Sequence, residues 1–279
     1  MKSETICYVD ESVHNSVGVF VSAFVFVNES LDDQVRSALS DSGFDPEREE
    51  FKSSSRMDSD SRLQLVRKKL MNIAGSNSKI AVFFGPFSRK RLGIQTLQAL
   101  QSVIVRNGID TESLIVHFDE DMFKSTNEAA RLHGLFSSLT GCKIYAEENS
   151  LKCRGIQVAD AVAHSFGQIV KSAITGDEKI VDIGGRNTGY AKGTEAPLSW
   201  ALLMNLRYAM LTRPVIYDGE NYDSATDPVV IDPENDEPVD FGQNPTLLGW
   251  GVQVAPEADE VLRQAVEKRL GKLWLGCIH

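Results

Sequence analysis

The chain has 279 residues, of which 42% are hydrophobic and 24% charged, a composition typical of a soluble globular protein with a packed core. No apolar run reaches the roughly 18 residues of a membrane span. Residues 1–5 lack the features of a signal peptide, so we expect a cytoplasmic protein without membrane contact. The cysteines show neither zinc-ligand spacing nor a disulfide pattern, which predicts reduced thiols. They are Cys7, Cys142, Cys153 and Cys277.

The charge of the chain is uneven. Its formal net charge is −10, whereas a simple electrostatic binder of nucleic acid is usually basic. Residues 218–240, however, contain nine carboxylates and no Lys or Arg, interleaved with Pro and Gly, which is typical of a solvated, extended loop. The rest of the chain is nearly balanced. The charge therefore weakens an interpretation as a nucleic-acid-binding protein without excluding it.

Strands and helices alternate along the first part of the chain. Runs rich in Val, Ile and Phe predict strands at residues 5–9, 17–27, 79–84, 113–118 and 143–146. Apolar residues at helical spacing predict helices at residues 31–39, 63–75, 92–105, 128–139 and 155–172. A turn near Gly18 joins the first two strands into a hairpin, and Asp58 or Asp60 is the candidate N-cap of the second helix.

The order β-β-α-α-β-α-β-α-β-α predicts an α/β domain with a mixed sheet covered by helices. Beyond residue 172 the pattern changes, because a Gly-rich loop at 184–189 precedes predicted helices at 198–211 and 261–270. We interpret residues 1–175 as the core, and residues 176–279 as a C-terminal extension that packs on the same domain.

Four carboxylates stand where separate elements can bring them together. Asp10 is expected at the end of the first strand, Glu50 in a polar segment after the first helix, and Asp119 directly after a buried-type strand. Asp160 lies three residues after Gln157, on a helix built otherwise of small apolar residues. Hydrolysis of a phosphodiester by two divalent metal ions needs several converging carboxylates, since Mg²⁺ prefers hard oxygen ligands.

Each carboxylate taken alone has a plainer interpretation. An Asp at a strand end is commonly a turn or cap residue. Glu50 belongs to a run of acids in a polar loop, where a solvated surface is the ordinary case, and Asp160 can pair with a nearby cation such as Arg154. The ordered set is the stronger signal, because single residues discriminate poorly between function and structure.

The ordered set also resembles a known family. The resemblance lies in Tyr8-Val9-Asp10-Glu11-Ser12, Glu50-Phe51-Lys52, Asp119 after a strand, and the helix Gly155-Ile156-Gln157-Val158-Ala159-Asp160. These segments resemble, in order, the uncharacterised bacterial and phage family called domain of unknown function 3800. The resemblance extends from residue 6 to residue 166 and weakly to residues 198–208. The Gln-x-Ala-Asp helix is its most distinctive element.

That family looks like a branch of the ribonuclease H-like fold, so the resemblance implies a ribonuclease H-like mixed sheet flanked by helices, with a C-terminal extension. It also implies two bound Mg²⁺ or Mn²⁺ ions. The implied catalytic metal ligands are Asp10, Glu50, Asp119 and Asp160. Two alternatives stay open, because Glu49 stands beside Glu50 and Asp121 stands close to Asp119. Val13 occupies the place of a usual Gly, so we expect a different turn geometry there.

Several basic residues are candidates for contacts with a nucleic-acid backbone. They are Lys52, Arg56, Arg89 and Arg91. A solvated loop or an ordinary helix entrance explains these residues about as well. Ser12 is a candidate to bind a ligand or to cap the turn. His164, one turn beyond Asp160, is a candidate partner of a metal ligand, although a lone His on an apolar helix is more often a core residue.

The carboxylates and the resemblance together predict a divalent-metal-dependent nuclease that hydrolyses phosphodiester bonds, with the type of nucleic acid left open. The alternative is a non-catalytic interaction protein of the same fold, in a defence or toxin–antitoxin assembly. Its acidic segment and the last helix with Trp274 would then contact a protein partner, and a homo-oligomer is the other expectation. A third interpretation takes Asp119-Glu120-Asp121 as the Asp-x-Asp motif of a nucleotide-sugar transferase, but the chain lacks a Gly-rich phosphate loop.

Overall fold

The computed structural model describes residues 4–55, 60–185, 189–211, 246–247 and 251–270. Its strands are β1 (Thr5–His14), β2 (Val19–Val27), β3 (Lys79–Pro86), β4 (Leu114–Asp119), β5 (Lys143–Glu148), β6 (Ile180–Asp182), β7 (Glu195–Pro197), β8 (Thr246–Leu247) and β9 (Val252–Val254). Its helices are α1 (Asp32–Ser40), α2 (Ser61–Asn77), α3 (Leu92–Asn107), α4 (Thr126–His133), α5 (Gly155–Thr175), α6 (Leu198–Leu206) and α7 (Glu260–Leu270). None of these helices is long and apolar enough to cross a membrane.

One mixed sheet organises the described residues, with the strand order β5-β4-β1-β2-β3-β9-β8. Strand β2 runs antiparallel to both of its neighbours, β1 and β3, whereas β4 runs parallel to β1, and β5 runs parallel to β4. These five strands have the order and directions of a ribonuclease H-like sheet, and the helices flank it, which confirms the predicted fold class. The separate pair β6-β7 forms a small antiparallel sheet of its own.

Helices cover both faces of the central strands. Because side chains alternate along a strand, Tyr8 and His14 share one face of β1, and helix α5 packs there. The opposite face of the sheet contacts α3: the hydroxyl of Ser22 on β2 and that of Thr96 on α3 are hydrogen-bonded at 2.8 Å. Every residue of β2 is buried. The two covering layers explain why β2 is apolar at every position except Ser22 and shows no alternation of apolar and polar residues.

The first strand is longer than predicted. It continues beyond Asp10 to His14, so the expectation that Asp10 ends this strand is wrong. The reason lies in its two neighbours: parallel pairing with β4 stops at Val9 and Phe118, whereas antiparallel pairing with β2 continues to His14. Asp10 is therefore the first residue of β1 beyond its pairing with β4.

Two helices end earlier than their apolar spacing predicts. α4 ends at His133 and a short 3-10 turn follows it at Ser137–Leu139, while α6 ends at Leu206 and passes into a 3-10 turn. The predicted cap of α2 is Asp60, whose side chain accepts a hydrogen bond from the Arg62 backbone N–H at 2.8 Å. Asp58, the other candidate, lies outside the described residues.

The last described strand and helix, β9 and α7, return to the same sheet and the same helical layer. Strand β9 pairs parallel with β3, and α7 packs against α5. The division into residues 1–175 and 176–279 stays a prediction. The acidic segment at 218–240, Trp274 and Cys277 lie outside the described residues.

Candidate active site

A cleft of about 460 Å³ opens beside the point where β1 loses its pairing with β4. Three of the four predicted carboxylates line it: Asp10 from β1, Asp119 from the end of β4, and Asp160 from the second turn of α5. Each of the three residues is less than 10% exposed. The strand order places β1 beside β4, and α5 lies across them, so the fold itself brings these residues to one cleft.

Asp160 is held by the irregular segment that follows α1. The backbone N–H of Ser53 donates a hydrogen bond to Asp160 Oδ2 at 2.7 Å, and the Ser53 hydroxyl donates to Oδ1. The suggested pairing of Asp160 with Arg154 is not observed, since the described hydrogen bonds of Asp160 are those from Ser53. Both hydrogen-bond donors to Asp160 therefore belong to one loop residue, Ser53, and neither is a cation.

Gln157 joins the same loop to the turn before α5. Its side-chain oxygen accepts a hydrogen bond from the Phe51 N–H at 2.9 Å, and its side-chain nitrogen donates to the Ser150 carbonyl at 2.9 Å. Residues three apart on a helix share a face, so Gln157 and Asp160 together hold residues 51–53. This bridge accounts physically for the Gln-x-Ala-Asp spacing.

Glu50 lies next to the cleft rather than in its lining. Its carboxylate accepts a hydrogen bond from the Ser150 hydroxyl and lies 3.7 Å from Lys52 Nζ, and Lys52 does line the cleft. Glu49 is exposed, and its side chain accepts a hydrogen bond from the Asp45 N–H within its own loop, at 2.6 Å. Of the two adjacent acids, Glu50 is the one connected to the cleft.

The loop after β4 separates Asp119 from Asp121. Asp119 is 8% exposed, whereas the Asp121 side chain is 88% exposed. Asp121 and Glu147 both adopt left-handed backbone conformations, with φ of 71° and 61°, which is uncommon outside glycine. The Glu147 carboxylate accepts hydrogen bonds from the Asp121 and Phe123 N–H groups. These contacts hold the loop with Asp121 at its exposed edge and Asp119 inside.

The buried carboxylates repel one another. Burial raises the pKa of Asp10 well above its ordinary value, and the nearby Asp160 and Asp119 raise it further. The pKa of Asp119 rises to about 6, mainly through burial, although Lys52 acts in the opposite direction. Burial also raises the pKa of Asp160 in spite of the hydrogen bonds from Ser53. The cleft thus favours protons or cations.

Glu11 belongs to this cluster and was not predicted from the sequence. It lines the cleft, its side chain is only 12% exposed, and burial followed by repulsion from Asp119 raises its pKa to about 7. Arg89 lies 3.7 Å from its carboxylate and opposes that shift. The signal was available in the adjacent acids of the Tyr-x-Asp-Glu-Ser segment, but strand alternation assigns only one of two neighbours to a given face.

The donor set of the cleft fits hard divalent cations. Among the described residues, Asp119 Oδ1 and Glu11 Oε2 are buried without a hydrogen-bond partner. A buried carboxylate oxygen left in this state is unfavourable unless a cation or proton satisfies it. Carboxylate oxygens are also the ligands that Mg²⁺ and Mn²⁺ prefer.

Two imidazoles line the cleft without adding positive charge. Burial lowers the pKa of His14 to about 4 and that of His164 to about 3, so both are neutral at pH 7. The Ser12 hydroxyl is hydrogen-bonded to His14 Nε2 at 3.2 Å, which gives Ser12 a role in holding that ring. Neutral imidazoles do not offset the negative charge of the carboxylates.

The predicted basic residues differ in their availability. Lys52 lines the cleft; burial alone lowers its pKa, but the surrounding carboxylates, led by Asp119, raise it overall. Arg89 lies between Glu11 and Asp121, at 3.7 and 3.8 Å. Arg91 forms an ion pair with Glu257 at 2.7 Å. Arg56 lies outside the described residues.

The carboxylates of the cleft do not converge on a single point. Among the described residues, one group of three potential ligands has its atoms within 4.8 Å of one another. It lies outside the lining of the cleft and consists of His117, Glu148 and Cys153. Two ions about 3.5–4 Å apart would draw ligands from opposite sides, so a two-metal site does not need three carboxylates at such short mutual distances.

Comparisons with known proteins find no matching family model and no matching curated protein. Among solved structures, the chain is similar to one described as the PCNA:RNase HII complex from Archaeoglobus fulgidus, with a TM-score of 0.38 and 16% sequence identity. The match covers 71% of this chain and 86% of that chain. The assignment of a ribonuclease H-like fold rests on the order and directions of β1 to β5. Membership of the domain of unknown function 3800 family stays a hypothesis.

Proposed function

We propose that this protein is a divalent-metal-dependent nuclease of the domain of unknown function 3800 family, acting on phosphodiester bonds of nucleic acid. The observation that carries the proposal is the set of buried, mutually repelling carboxylates around an open cleft, two of which, Asp119 and Glu11, have an unpartnered oxygen. Burying such charges is unfavourable, so the arrangement supports a site whose cations are supplied from outside the chain.

In this proposal Asp10, Asp119 and Asp160 hold two Mg²⁺ or Mn²⁺ ions, and Glu50 stands beside them as the fourth ligand. Divalent ions held there supply Lewis-acid stabilisation of the negative charge that develops on phosphate oxygens during hydrolysis. Glu11 adds a further carboxylate at the same cleft.

The chain's own residues orient these ligands and the substrate. Gln157 accepts the Phe51 N–H and so fixes the loop that carries Ser53. Ser53 in turn keeps the carboxylate of Asp160 in one orientation. Lys52 places an ammonium group among the carboxylates, where it can contact a non-bridging oxygen of a phosphate. Arg89 lies at the rim beside Asp121, where its guanidinium group can contact the next phosphate of the nucleic-acid backbone.

The test compares the full-length wild type with Asp10→Asn on single-stranded DNA, double-stranded DNA, RNA and an RNA–DNA hybrid, each with Mg²⁺, with Mn²⁺ and with chelator. We expect metal-dependent cleavage of at least one substrate by the wild type. Loss of a metal ligand removes several kcal/mol of transition-state stabilisation, so Asp10→Asn should cleave at least about 100-fold more slowly. Cleavage by Asp10→Asn at the wild-type rate would refute the proposal.

Asp121→Asn is the matched comparison, because it removes a carboxylate two residues from Asp119 at the exposed edge of the loop, and Asn tolerates the left-handed backbone there. It should retain most of the activity if Asp119 is the ligand. Calorimetry with Mn²⁺ separates the non-catalytic alternative: a folded wild type that binds no Mn²⁺ would favour an interaction protein that keeps the fold.

A further inference from the structure

A second group of potential metal ligands lies outside the set assigned to the cleft. It consists of His117 on β4, Glu148 at the end of β5, and Cys153 in the turn before α5. One ligand atom from each of these residues lies within 4.8 Å of the other two. The nuclease proposal gives none of them a role.

The imidazole of His117 is held in place but left with an unsatisfied nitrogen. Its ring stacks between those of Tyr8 and Tyr145, at centroid distances of 5.7 and 5.1 Å, because the three residues are aligned on β1, β4 and β5. Its Nδ1 is buried, has no hydrogen-bond partner within the described part of the chain, and lies 4.0 Å from Glu148 Oε2. That distance is too long for a hydrogen bond.

The mixture of ligand atoms selects the kind of ion. An imidazole nitrogen, a carboxylate oxygen and a cysteine sulfur together suit Zn²⁺, whereas Mg²⁺ and Ca²⁺ prefer oxygen alone. Ligands about 2.0–2.3 Å from a tetrahedral zinc ion lie roughly 3.3–3.7 Å apart. Nδ1 of His117 and Oε2 of Glu148, now 4.0 Å apart, would therefore need to approach by about 0.5–0.7 Å.

We propose that His117, Glu148 and Cys153 bind one Zn²⁺ ion, with the fourth coordination position left to a water molecule or another small ligand. Cys153 is 8% exposed and is a free cysteine, while Glu148 is partly exposed, so the site is enclosed at its sulfur end and open at its carboxylate end. This assignment does not depend on whether the protein is a nuclease.

Zinc at this site would fix the turn that lies between two of its ligands. That turn carries Ser150, whose hydroxyl donates to Glu50 and whose carbonyl accepts from Gln157. Because Glu148 and Cys153 flank Ser150 in the chain, an ion bridging them would limit the motion of a residue that holds part of the carboxylate cleft. The role that follows is structural, at one edge of the cleft.

The test uses the full-length protein in reducing, metal-free buffer, with Zn²⁺ and Co²⁺ as the only added probes. We expect one Zn²⁺ per chain to survive gel filtration, and the bound Co²⁺ to show a thiolate charge-transfer absorption band. That band requires a sulfur ligand, so metal bound by the carboxylates of the cleft does not produce it. Zinc should also raise the unfolding temperature of the wild type by about 5 °C.

Cys153→Ala should lose the cobalt band and the thermal shift, whereas Cys142→Ala, which removes another buried free cysteine, should keep both. Glu148→Gln is the second variant, because the side chain of Glu148 is partly exposed and Gln fills the same space. The zinc affinity of this variant should fall at least about 10-fold. The proposal is overturned if the wild type shows no thiolate band with Co²⁺. It is also overturned if folded Cys153→Ala keeps the band, or if Glu148→Gln binds zinc as tightly as the wild type.

Discussion

Ser53 donates two hydrogen bonds to the carboxylate of Asp160, one from its backbone N–H at 2.7 Å and one from its hydroxyl. Burial raises the pKa of Asp160, and these two bonds act against that shift because they favour the ionised form. One carboxylate therefore both anchors the loop after α1 and forms a wall of the cleft. The stability of the loop and the properties of the site are coupled through this contact.

The first prediction concerns Ser53→Ala, which removes the hydroxyl donor and leaves the backbone donor in place. A hydrogen bond to a charged group contributes about 1.5–3 kcal/mol, so we expect the free energy of unfolding to fall by about 2 kcal/mol. Mn²⁺ affinity should fall about 10-fold, because Asp160 is less well oriented. Urea unfolding and calorimetry measure the two effects. Ser54→Ala, at an exposed neighbour, should change the unfolding free energy by less than about 0.5 kcal/mol.

The second prediction is that Asp10→Asn stabilises the metal-free protein. Asn removes a buried charge that Asp160 and Asp119 repel, and it keeps an oxygen that can accept the Glu11 N–H bond observed at 2.6 Å. We expect the free energy of unfolding at pH 7 in chelator to rise by about 1–2 kcal/mol, since such sites trade stability for function. Excess Mn²⁺ should reverse the order of the two proteins.

Asp177→Asn is the control for this comparison, because Asp177 is exposed in the turn after α5 and its loss should leave stability unchanged. A metal-free Asp10→Asn protein less stable than the wild type would show instead that the Asp10 charge is satisfied within the chain.

The sequence predicted the fold where local pattern determines it. Apolar runs marked β1 to β5, helical spacing marked α1 to α5, and Asp60 was correctly among the candidate caps of α2. The extent of β1 was missed because its second half pairs with β2 alone. Pairing partners are contacts between distant segments, and periodicity does not report them.

In the candidate site, too, residues within local motifs were predicted from the sequence, whereas a group formed by distant segments was not. Asp10, Asp119 and Asp160 were identified from ordered motifs, and the structure brings them to one cleft. The group formed by His117 and Cys153 with Glu148 had no sequence signal, because its members meet only through the register of β4 and β5 and the turn that follows.

The third prediction is a pH dependence of stability caused by Asp119, whose pKa rises to about 6 in the folded protein. The folded protein binds this proton more tightly than the unfolded chain, so the contribution of Asp119 to stability is present below about pH 4 and is lost as pH rises through 6. Buried His14 and His164 act in the opposite sense, because their lowered pKa values destabilise the fold in acid. A difference between the wild type and a variant at Asp119 cancels the contributions of the two histidines and leaves that of Asp119 with the carboxylates coupled to it.

We therefore expect the unfolding free energy of metal-free wild type, minus that of Asp119→Asn, to fall by about 2–3 kcal/mol between pH 4 and pH 7. Denaturant titrations at four or five pH values measure it. A difference that is flat, or that rises with pH, would mean that the Asp119 carboxylate is stabilised rather than destabilised by its surroundings.

The fourth prediction concerns Gly155, the first residue of α5. A Cβ atom there would lie 2.3–2.5 Å from three ring atoms of Tyr8, which is far inside van der Waals contact. The ring has little room to move, since Tyr8 is 2% exposed, stacks on His117, and its hydroxyl contacts Ser30 and Leu31 at 3.4 Å. Gly155→Ala should therefore destabilise the protein by about 2–3 kcal/mol through overpacking.

Helix propensity alone predicts the opposite sign, because Ala is favoured over Gly inside a helix by about 1 kcal/mol. Gly134, at the end of α4, separates the two effects: its φ is −62°, and an added Cβ would meet its neighbours at an ordinary 3.6 Å. Gly134→Ala should be neutral or slightly stabilising in the same urea titration. If Gly155→Ala proves as stable as Gly134→Ala, then close packing against Tyr8 is not the reason for the glycine that opens the Gln-x-Ala-Asp helix.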